Sequence, residues 1–217
     1  ALLADGLGAD LAGFVFHPPS PRAVSPSRAA GTRTGRLVRV GVFVGQGASE
    51  IIEIMEEAGL DLAQFHGGQT PADARRVGPG RVVRAVWPER HPDPASLERE
   101  LAPWREVSRL LLFDAGVAGG GHGRPAAAGG PWFLAHAGMP SLLAGGLGPR
   151  TLAALPDLSG YGWLAGFDVN SGVESSPGIK DRGLMAEAAR LVKRLPAGCP
   201  GPGREALRDP RRPAGGS

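Results

Sequence analysis

The stretch Leu164-Ala165-Gly166-Phe167-Asp168-Val169-Asn170-Ser171-Gly172-Val173-Glu174 opens as a short apolar strand and breaks into polar and glycine residues. A helix pattern follows from Asp181. A strand that ends in glycines and small polar side chains presents backbone N–H groups, which make a natural cradle for a phosphate. A second such ending stands upstream at Ser141-Leu142-Leu143-Ala144-Gly145-Gly146-Leu147, with Pro149 placed as a first helical residue. In a (β/α)8 barrel the phosphate commonly sits on the loops after strands 7 and 8. Two successive strand–glycine–helix units at the end of a chain fit that position.

Working back from this pair, five further strands are expected: Leu11 to Phe16, Arg39 to Val44, Leu60 to Phe65, Val82 to Trp87 and Leu110 to Phe113. With strands at 141–144 and 164–169, that makes seven, recurring every 20–30 residues. Helix signals lie between them. Ser25-Pro26 marks a start, and Ser49 is read as the cap of a helix whose Ile51, Ile52 and Met55 share a face and which stops at Gly59. Thr70-Pro71-Ala72-Asp73 supplies an N-cap, a proline at N1 and an acid at N3. Further helices are expected at 94–104, 149–155 and 181–195, the last with Leu184, Ala188, Leu191, Val192 and Leu195 on one face. Residues 1–9 read as the end of an amphipathic helix stopped by Gly8. Alternating strands and helices imply parallel βα units. Seven strands exceed the usual five of a flavodoxin-like sheet, so the fold class is α/β, a (β/α)8 TIM barrel with seven of its eight strands in this chain. The remaining strand is expected before Ala1.

The chain of 217 residues is long enough for one such domain. Ten of its glycines and prolines fall in 196–217, so residues 1–195 are read as the barrel and 196–217 as a disordered Pro/Gly/Arg-rich tail. The formal net charge is +3, of which the tail contributes +2 (four Arg against Glu205 and Asp209). The body is therefore nearly neutral, which argues against a nucleic-acid partner. The only cysteine is Cys199, so internal disulfides and a cysteine zinc site are excluded. No apolar run reaches 18 residues and no signal peptide is visible, so the expectation is a soluble cytoplasmic protein with no membrane partner.

Several strand ends carry longer motifs. Gly13-Phe14-Val15-Phe16-His17-Pro18-Pro19-Ser20-Pro21-Arg22-Ala23-Val24-Ser25-Pro26 closely resembles the second-strand signature of the phosphoribosylanthranilate isomerases of tryptophan biosynthesis. So do Val40-Gly41-Val42-Phe43-Val44, Gln64-Phe65-His66-Gly67, Leu112-Phe113-Asp114, Leu143-Ala144-Gly145-Gly146-Leu147 and Asp168-Val169-Asn170-Ser171-Gly172-Val173-Glu174, in the family's order. The resemblance implies a (β/α)8 barrel with neither metal nor cofactor. The implied reaction converts N-(5-phosphoribosyl)anthranilate to 1-(2-carboxyphenylamino)-1-deoxyribulose 5-phosphate by Amadori rearrangement. A small phosphosugar-anthranilate is then the partner, and the state is monomer or homodimer.

That reaction needs a general acid at the ring oxygen and a general base at the sugar C2 proton. By resemblance Asp114 is the acid, and Arg22 contacts the anthranilate carboxylate, a task suited to a guanidinium. Gly145, Gly146, Asn170, Ser171 and Gly172 hold the phosphate. Asp168 and His66 are placed against the substrate. The glycine-rich segment 116–130, with Arg124 where the family has Lys, corresponds to the mobile loop after strand 6. The family's general base is a cysteine in a first strand. No cysteine of this chain matches it, since Cys199 sits in the tail, so turnover by these residues alone is expected to be impaired. Two other readings stand beside the isomerase: a non-catalytic phosphosugar-binding barrel, and another sugar-phosphate isomerase or epimerase. A metal held by His17, His66, Asp114 and Asp168 is the weaker reading, because His17 replaces an aromatic and His66 belongs to the Gln-x-His-Gly strand end.

Overall fold

A computed structural model describes residues 1–114 and 131–195. The segment read as a covering loop and the tail therefore lie outside the described residues. The chain divides into two compact units: residues 1–85 with 103–110, and residues 86–102 with 111–195 of the described chain.

The first unit holds α1 (Leu2–Leu7), β1 (Leu11–Val15), α2 (Pro26–Ala30), β2 (Val38–Phe43), α3 (Ala48–Ala58), β3 (Leu62–Phe65), α4 (Pro71–Val77) and most of β4 (Val82–Val86). β1 pairs with β2, β2 with β3 and β3 with β4, each pair parallel. The core under these strands combines Phe14, Phe43 and Phe65 with Ile51 and Met55 of α3 and with Trp104. Phe16 stacks on Phe43 at 5.4 Å, which ties the ends of β1 and β2 together.

Helix starts in this unit follow local hydrogen bonding. The Ser25 hydroxyl accepts from the Arg28 N–H and opens α2. At α4, Thr70 and Asp73 cap each other reciprocally, and the hydrogen bonds from Thr70 hold the Asp73 carboxyl below its ordinary range. The start of α3 differs from expectation. Its N-cap is Gly47, in extended backbone, and Ser49 stands inside the first turn, where its hydroxyl meets Arg76 at 2.7 Å.

Arg39 closes the lower side of the unit. Its guanidinium donates to the carbonyls of Ala29, Thr32, Ala58 and Gly59 at 2.5, 2.9, 3.0 and 2.9 Å, and lies 4.8 Å from the centre of the Phe14 ring. Ala58 and Gly59 are at the C-terminal end of α3, and Ala29 is near that of α2, where carbonyls have no helical partner and the helix dipole is negative. One cation thus satisfies the ends of two helices at once.

The second unit holds α5 (Pro94–Leu101), most of β5 (Leu110–Asp114), β6 (Ser141–Ala144), α6 (Pro149–Ala153), β7 (Leu164–Phe167), β8 (Glu174–Ser176), β9 (Ile179–Lys180) and α7 (Arg182–Val192). β5 pairs with β6 and β6 with β7, again parallel. Their core joins Phe113, Leu143 and Leu164 to Leu97, Leu152 and Ala188 of the helices, with Leu184, Leu191, Val192 and Leu195 packed against it. Boundaries in this unit fall short of those expected: α5 passes into a 3-10 turn at Ala102, α6 ends at Ala153, β7 ends at Phe167 and α7 ends at Val192. Between Val173 and Asp181, where the sequence suggested only a loop, β8 and β9 form an antiparallel hairpin.

Replacing Arg39 with Met is expected to cost about 2–4 kcal/mol, because partly buried carbonyls lose a charged donor with nothing to replace it. Urea unfolding monitored by circular dichroism reads this as a lower midpoint.

Candidate functional site

Three parallel strand ends in the second unit bring the acidic residues level. In the register of β5 with β6, Asp114 lies opposite Ala144. Across β6 on the other side, Phe167 lies opposite Leu143, and the Asp168 N–H donates to the Leu143 carbonyl at 2.8 Å. Asp114 and Asp168 therefore flank the last residue of β6 from its two neighbouring strands. Their backbones are separated by two strand spacings, roughly 10 Å. This register depends on an irregularity: Ser141 pairs with Leu164 but Leu142 pairs with Gly166, so Ala165 is an extra residue in β7. A bulge of this kind reverses which face the following side chains take, and so re-aims Phe167 and Asp168.

Asp114 is 9% exposed, the last residue of an otherwise buried strand. Asp168 keeps solvent-accessible surface, yet protein atoms crowd its carboxyl. That crowding pushes its pKa above the ordinary carboxylate range, and the negative charge of Asp114 pushes the same way, while Lys180 opposes both. Water still reaching the side chain moderates the upward push.

Beyond these carboxylates the two glycine loops meet. Gly145 and Gly146, following β6, have φ of 101° and 68°, conformations that side-chain-bearing residues rarely adopt. The loops touch backbone to backbone. A Cβ on Gly172 would stand 2.2 Å from the Leu147 carbonyl oxygen, and a Cβ on Gly148 would stand 2.3 Å from the Gly172 carbonyl oxygen. Only glycine at both positions allows this approach. Thr151 fixes the first loop from within α6, its hydroxyl accepting from the Gly148 N–H at 2.8 Å and facing the Gly146 carbonyl at 3.2 Å. Among the described residues nothing accepts from the N–H groups of Gly145, Gly146, Ser171 or Gly172. The sequence reading placed all five phosphate candidates on these two loops. Thr151 lacked a motif that would have singled it out.

Arg22 and His66 belong to the first unit. The loop after β1 makes two successive turns, with hydrogen bonds from Ser20 to His17 and from Ala23 to Ser20, and then returns beside β1 through a bridge between Val15 and Ala23. Half-buried Arg22 is held within those turns, its N–H donating to the Ser20 hydroxyl at 3.2 Å. His66 follows β3, where its N–H donates to the Phe43 carbonyl and its Nδ1 lies 3.2 Å from the Gln64 amide.

Two glutamines that the sequence did not point to lace these loops together. Gln46 accepts from the Val44 N–H and donates to the Phe16 carbonyl. Gln69 accepts from the Gly67 N–H and donates to the carbonyls of Val44 and Gln46 at 3.2 Å each. Their side-chain amides stand in for the sheet pairing that the backbone loses beyond the strand ends.

A carboxylic acid at the end of a strand, a second carboxyl biased toward its protonated form, and a close-packed pair of glycine loops on neighbouring strands are the features this site offers for proton transfer. Among the described residues no group of three His, Cys, Asp or Glu side chains is placed to hold a metal ion. No helix among them is long and apolar enough to cross a membrane.

The model of the N-(5'-phosphoribosyl)anthranilate isomerase family matches residues 4–190. The N-(5'-phosphoribosyl)anthranilate isomerase of Desulfovibrio desulfuricans is 45% identical over 194 residues, covering 88% of each chain. That of Maridesulfovibrio salexigens is 38% identical over 200 residues, covering 88% of this chain and 92% of the relative. Among solved structures, phosphoribosyl anthranilate isomerase from Thermus thermophilus superposes with a TM-score of 0.70 at 36% identity, over 88% of this chain and 92% of that one. A phosphoribosyl anthranilate isomerase in complex with reduced 1-(o-carboxyphenylamino)-1-deoxyribulose 5-phosphate gives 0.69 at 27% identity, over 89% and 92%. The fold class is thus that of the (β/α)8 barrels, of which the described residues supply seven strands.

Two outcomes follow from this geometry. Gly172→Ala is expected to destabilise the chain by about 1–3 kcal/mol, since a backbone carbonyl has to move to admit the methyl group; thermal unfolding measures it. The raised pKa of Asp168 means that the folded state holds this proton more tightly than the unfolded state. Stability present at low pH is therefore lost as pH climbs from the ordinary carboxyl value through the higher folded one. Asp168→Asn should flatten that part of the stability–pH curve.

Proposed function

This chain belongs to the N-(5'-phosphoribosyl)anthranilate isomerase family, and on that premise we propose that it isomerises N-(5-phosphoribosyl)anthranilate to the 1-deoxyribulose phosphate in tryptophan biosynthesis, with Asp114 as general acid. The observation that carries the assignment is the level placement of Asp114 and Asp168 beside the paired glycine loops.

Asp114 in its protonated form gives its proton to the furanose ring oxygen as the C1–O bond opens, leaving a cationic imine between the sugar C1 and the anthranilate nitrogen. A base then takes the proton from C2, the electron pair neutralises the imine, and an enolamine forms. Tautomerisation of the enolamine to the ketone completes the rearrangement without any net gain or loss of atoms. Burial of Asp114 keeps bulk water away from the reacting ring oxygen. Gly145, Gly146, Asn170, Ser171 and Gly172 bind the phosphate through their backbone N–H groups and so fix C2 relative to the acid. Arg22 pairs with the anthranilate carboxylate, His66 lines the substrate, and Asp168 meets the sugar hydroxyls. The reading needs no metal or cofactor and includes a cytoplasmic location and a monomer or homodimer.

The family resemblance assigns the base to a first-strand cysteine, and Cys199, in the segment 196–217, does not match that position. We therefore expect a polypeptide limited to these 217 residues to turn over roughly 10² to 10⁴ times more slowly than the same chain supplied with a Cys-bearing strand ahead of Ala1. Loss of phosphoribosylanthranilate fluorescence is the assay. In the supplied chain, Asp114→Asn should lower kcat by a similar factor, and Arg22→Ala should raise KM by roughly ten- to a hundredfold. Full-speed turnover by the 217 residues would refute the assignment of the base. Turnover that survives Asp114→Asn would refute that of the acid.

A further inference from the structure

Lys180 is one of only two lysines in a chain with 22 arginines, and neither its composition nor any motif marks it. It stands at the end of the β8–β9 hairpin, whose register sets it opposite Glu174. The reversal between the strands is Ser176-Pro177-Gly178-Ile179, with Gly178 at φ 85°, the pattern of a type II turn. This turn brings a residue ten positions along the chain back onto Asn170. There the Lys180 ammonium donates to the Asn170 backbone carbonyl at 2.8 Å, to the Asn170 side-chain oxygen at 2.6 Å and to the Glu174 carboxylate at 2.9 Å.

An ammonium has three donors, and all three are spent on this loop. Lys180 is thus not a ligand for an incoming anion; its contacts fix the backbone on which the anion would rest. Asn170 is the residue that needs fixing, since it lies at φ −127°, ψ −89°, outside the helical and extended regions, and starts the turn through Ser171 to Val173. The Glu174 side chain is only 4% exposed while that of Lys180 is 37% exposed, so the pair is sheltered on the carboxylate side and open to water on the ammonium side. On the other side of the turn, Gly172 is wedged against Leu147 and Gly148.

We propose that Lys180 is a positioning residue for phosphate recognition: it latches the β8–β9 hairpin to Asn170 and so holds the N–H groups of Ser171 and Gly172 in the conformation that accepts the phosphate. The inference rests on the phosphate reading of Asn170–Gly172 given above. The same charge also draws the Asp168 carboxyl back toward ionisation, against its crowding and the charge of Asp114.

The test is calorimetric titration of the 217-residue chain with reduced 1-(o-carboxyphenylamino)-1-deoxyribulose 5-phosphate and with the same compound lacking its phosphate. The unaltered chain is expected to prefer the phosphorylated compound. In Lys180→Met that preference falls roughly tenfold, the scale of one charge-assisted contact, while Kd for the compound without phosphate stays the same, a split that general destabilisation would not produce. Equal affinity of the unaltered chain for both compounds overturns the phosphate reading and the latch with it. A preference present in the unaltered chain and undiminished in Lys180→Met overturns the latch alone. Should Lys180→Met fail to fold, Glu174→Gln weakens one of the three contacts and leaves the ammonium in place. Its preference is expected to fall about threefold, on the scale of a weakened hydrogen bond, and an unchanged value overturns the latch.

Discussion

The contact on which the second unit depends is backbone against backbone, where the loop after β6 meets the loop after β7 at Gly148 and Gly172. No side chain fits between them, since a single added carbon at either position would fall within 2.3 Å of a carbonyl oxygen. Because the loops touch, the strand ends that carry Gly145–Gly146 and Asn170–Gly172 are held side by side. Around this contact the supports are arranged in layers: Thr151 braces the first loop, Lys180 and Glu174 brace the second, and the helices α6 and α7 bury Leu152 and Ala188 beneath them.

The carboxylates take their character from the same strands. β6 ends between β5 and β7, so Asp114 and Asp168 are delivered to one level by sheet register, with the extra residue at Ala165 adjusting the last strand. Crowding, with the charge of Asp114 beside it, pushes the Asp168 carboxyl above its ordinary range. Rigidity comes from elsewhere. In the first unit, Arg39 closes helix ends while Gln46 and Gln69 stitch the loops that follow the strands.

Much of this was legible in the sequence, for identifiable reasons. Short apolar strand runs, the Thr70–Asp73 capping box, the Ser25-Pro26 start and the double-glycine strand ends are all local patterns, and each formed where expected. What escaped notice depends on distance or on very short elements. Strands of two and three exposed residues, β8 and β9, have no hydrophobic period to display. Lys180, Gln46 and Gln69 act through contacts that only the fold brings about, whereas Thr151 acts locally on Gly146 and Gly148 and carries no motif of its own. The bulge at Ala165 leaves no mark in a run of small apolar residues. Ser49 was the natural cap by residue type, but the chain entered the helix earlier, at Gly47, and gave the serine to Arg76.

The central claim is that the paired glycine loops bind the substrate phosphate while Asp114 faces the sugar. A crystal structure of this chain with reduced 1-(o-carboxyphenylamino)-1-deoxyribulose 5-phosphate tests it most directly. The account predicts phosphate oxygens within hydrogen-bond distance of the N–H groups of Gly145, Gly146, Ser171 and Gly172, with the Asp114 carboxyl beside the sugar C1 to C4 atoms. A phosphate bound away from these loops, or a sugar chain out of reach of Asp114, would contradict it.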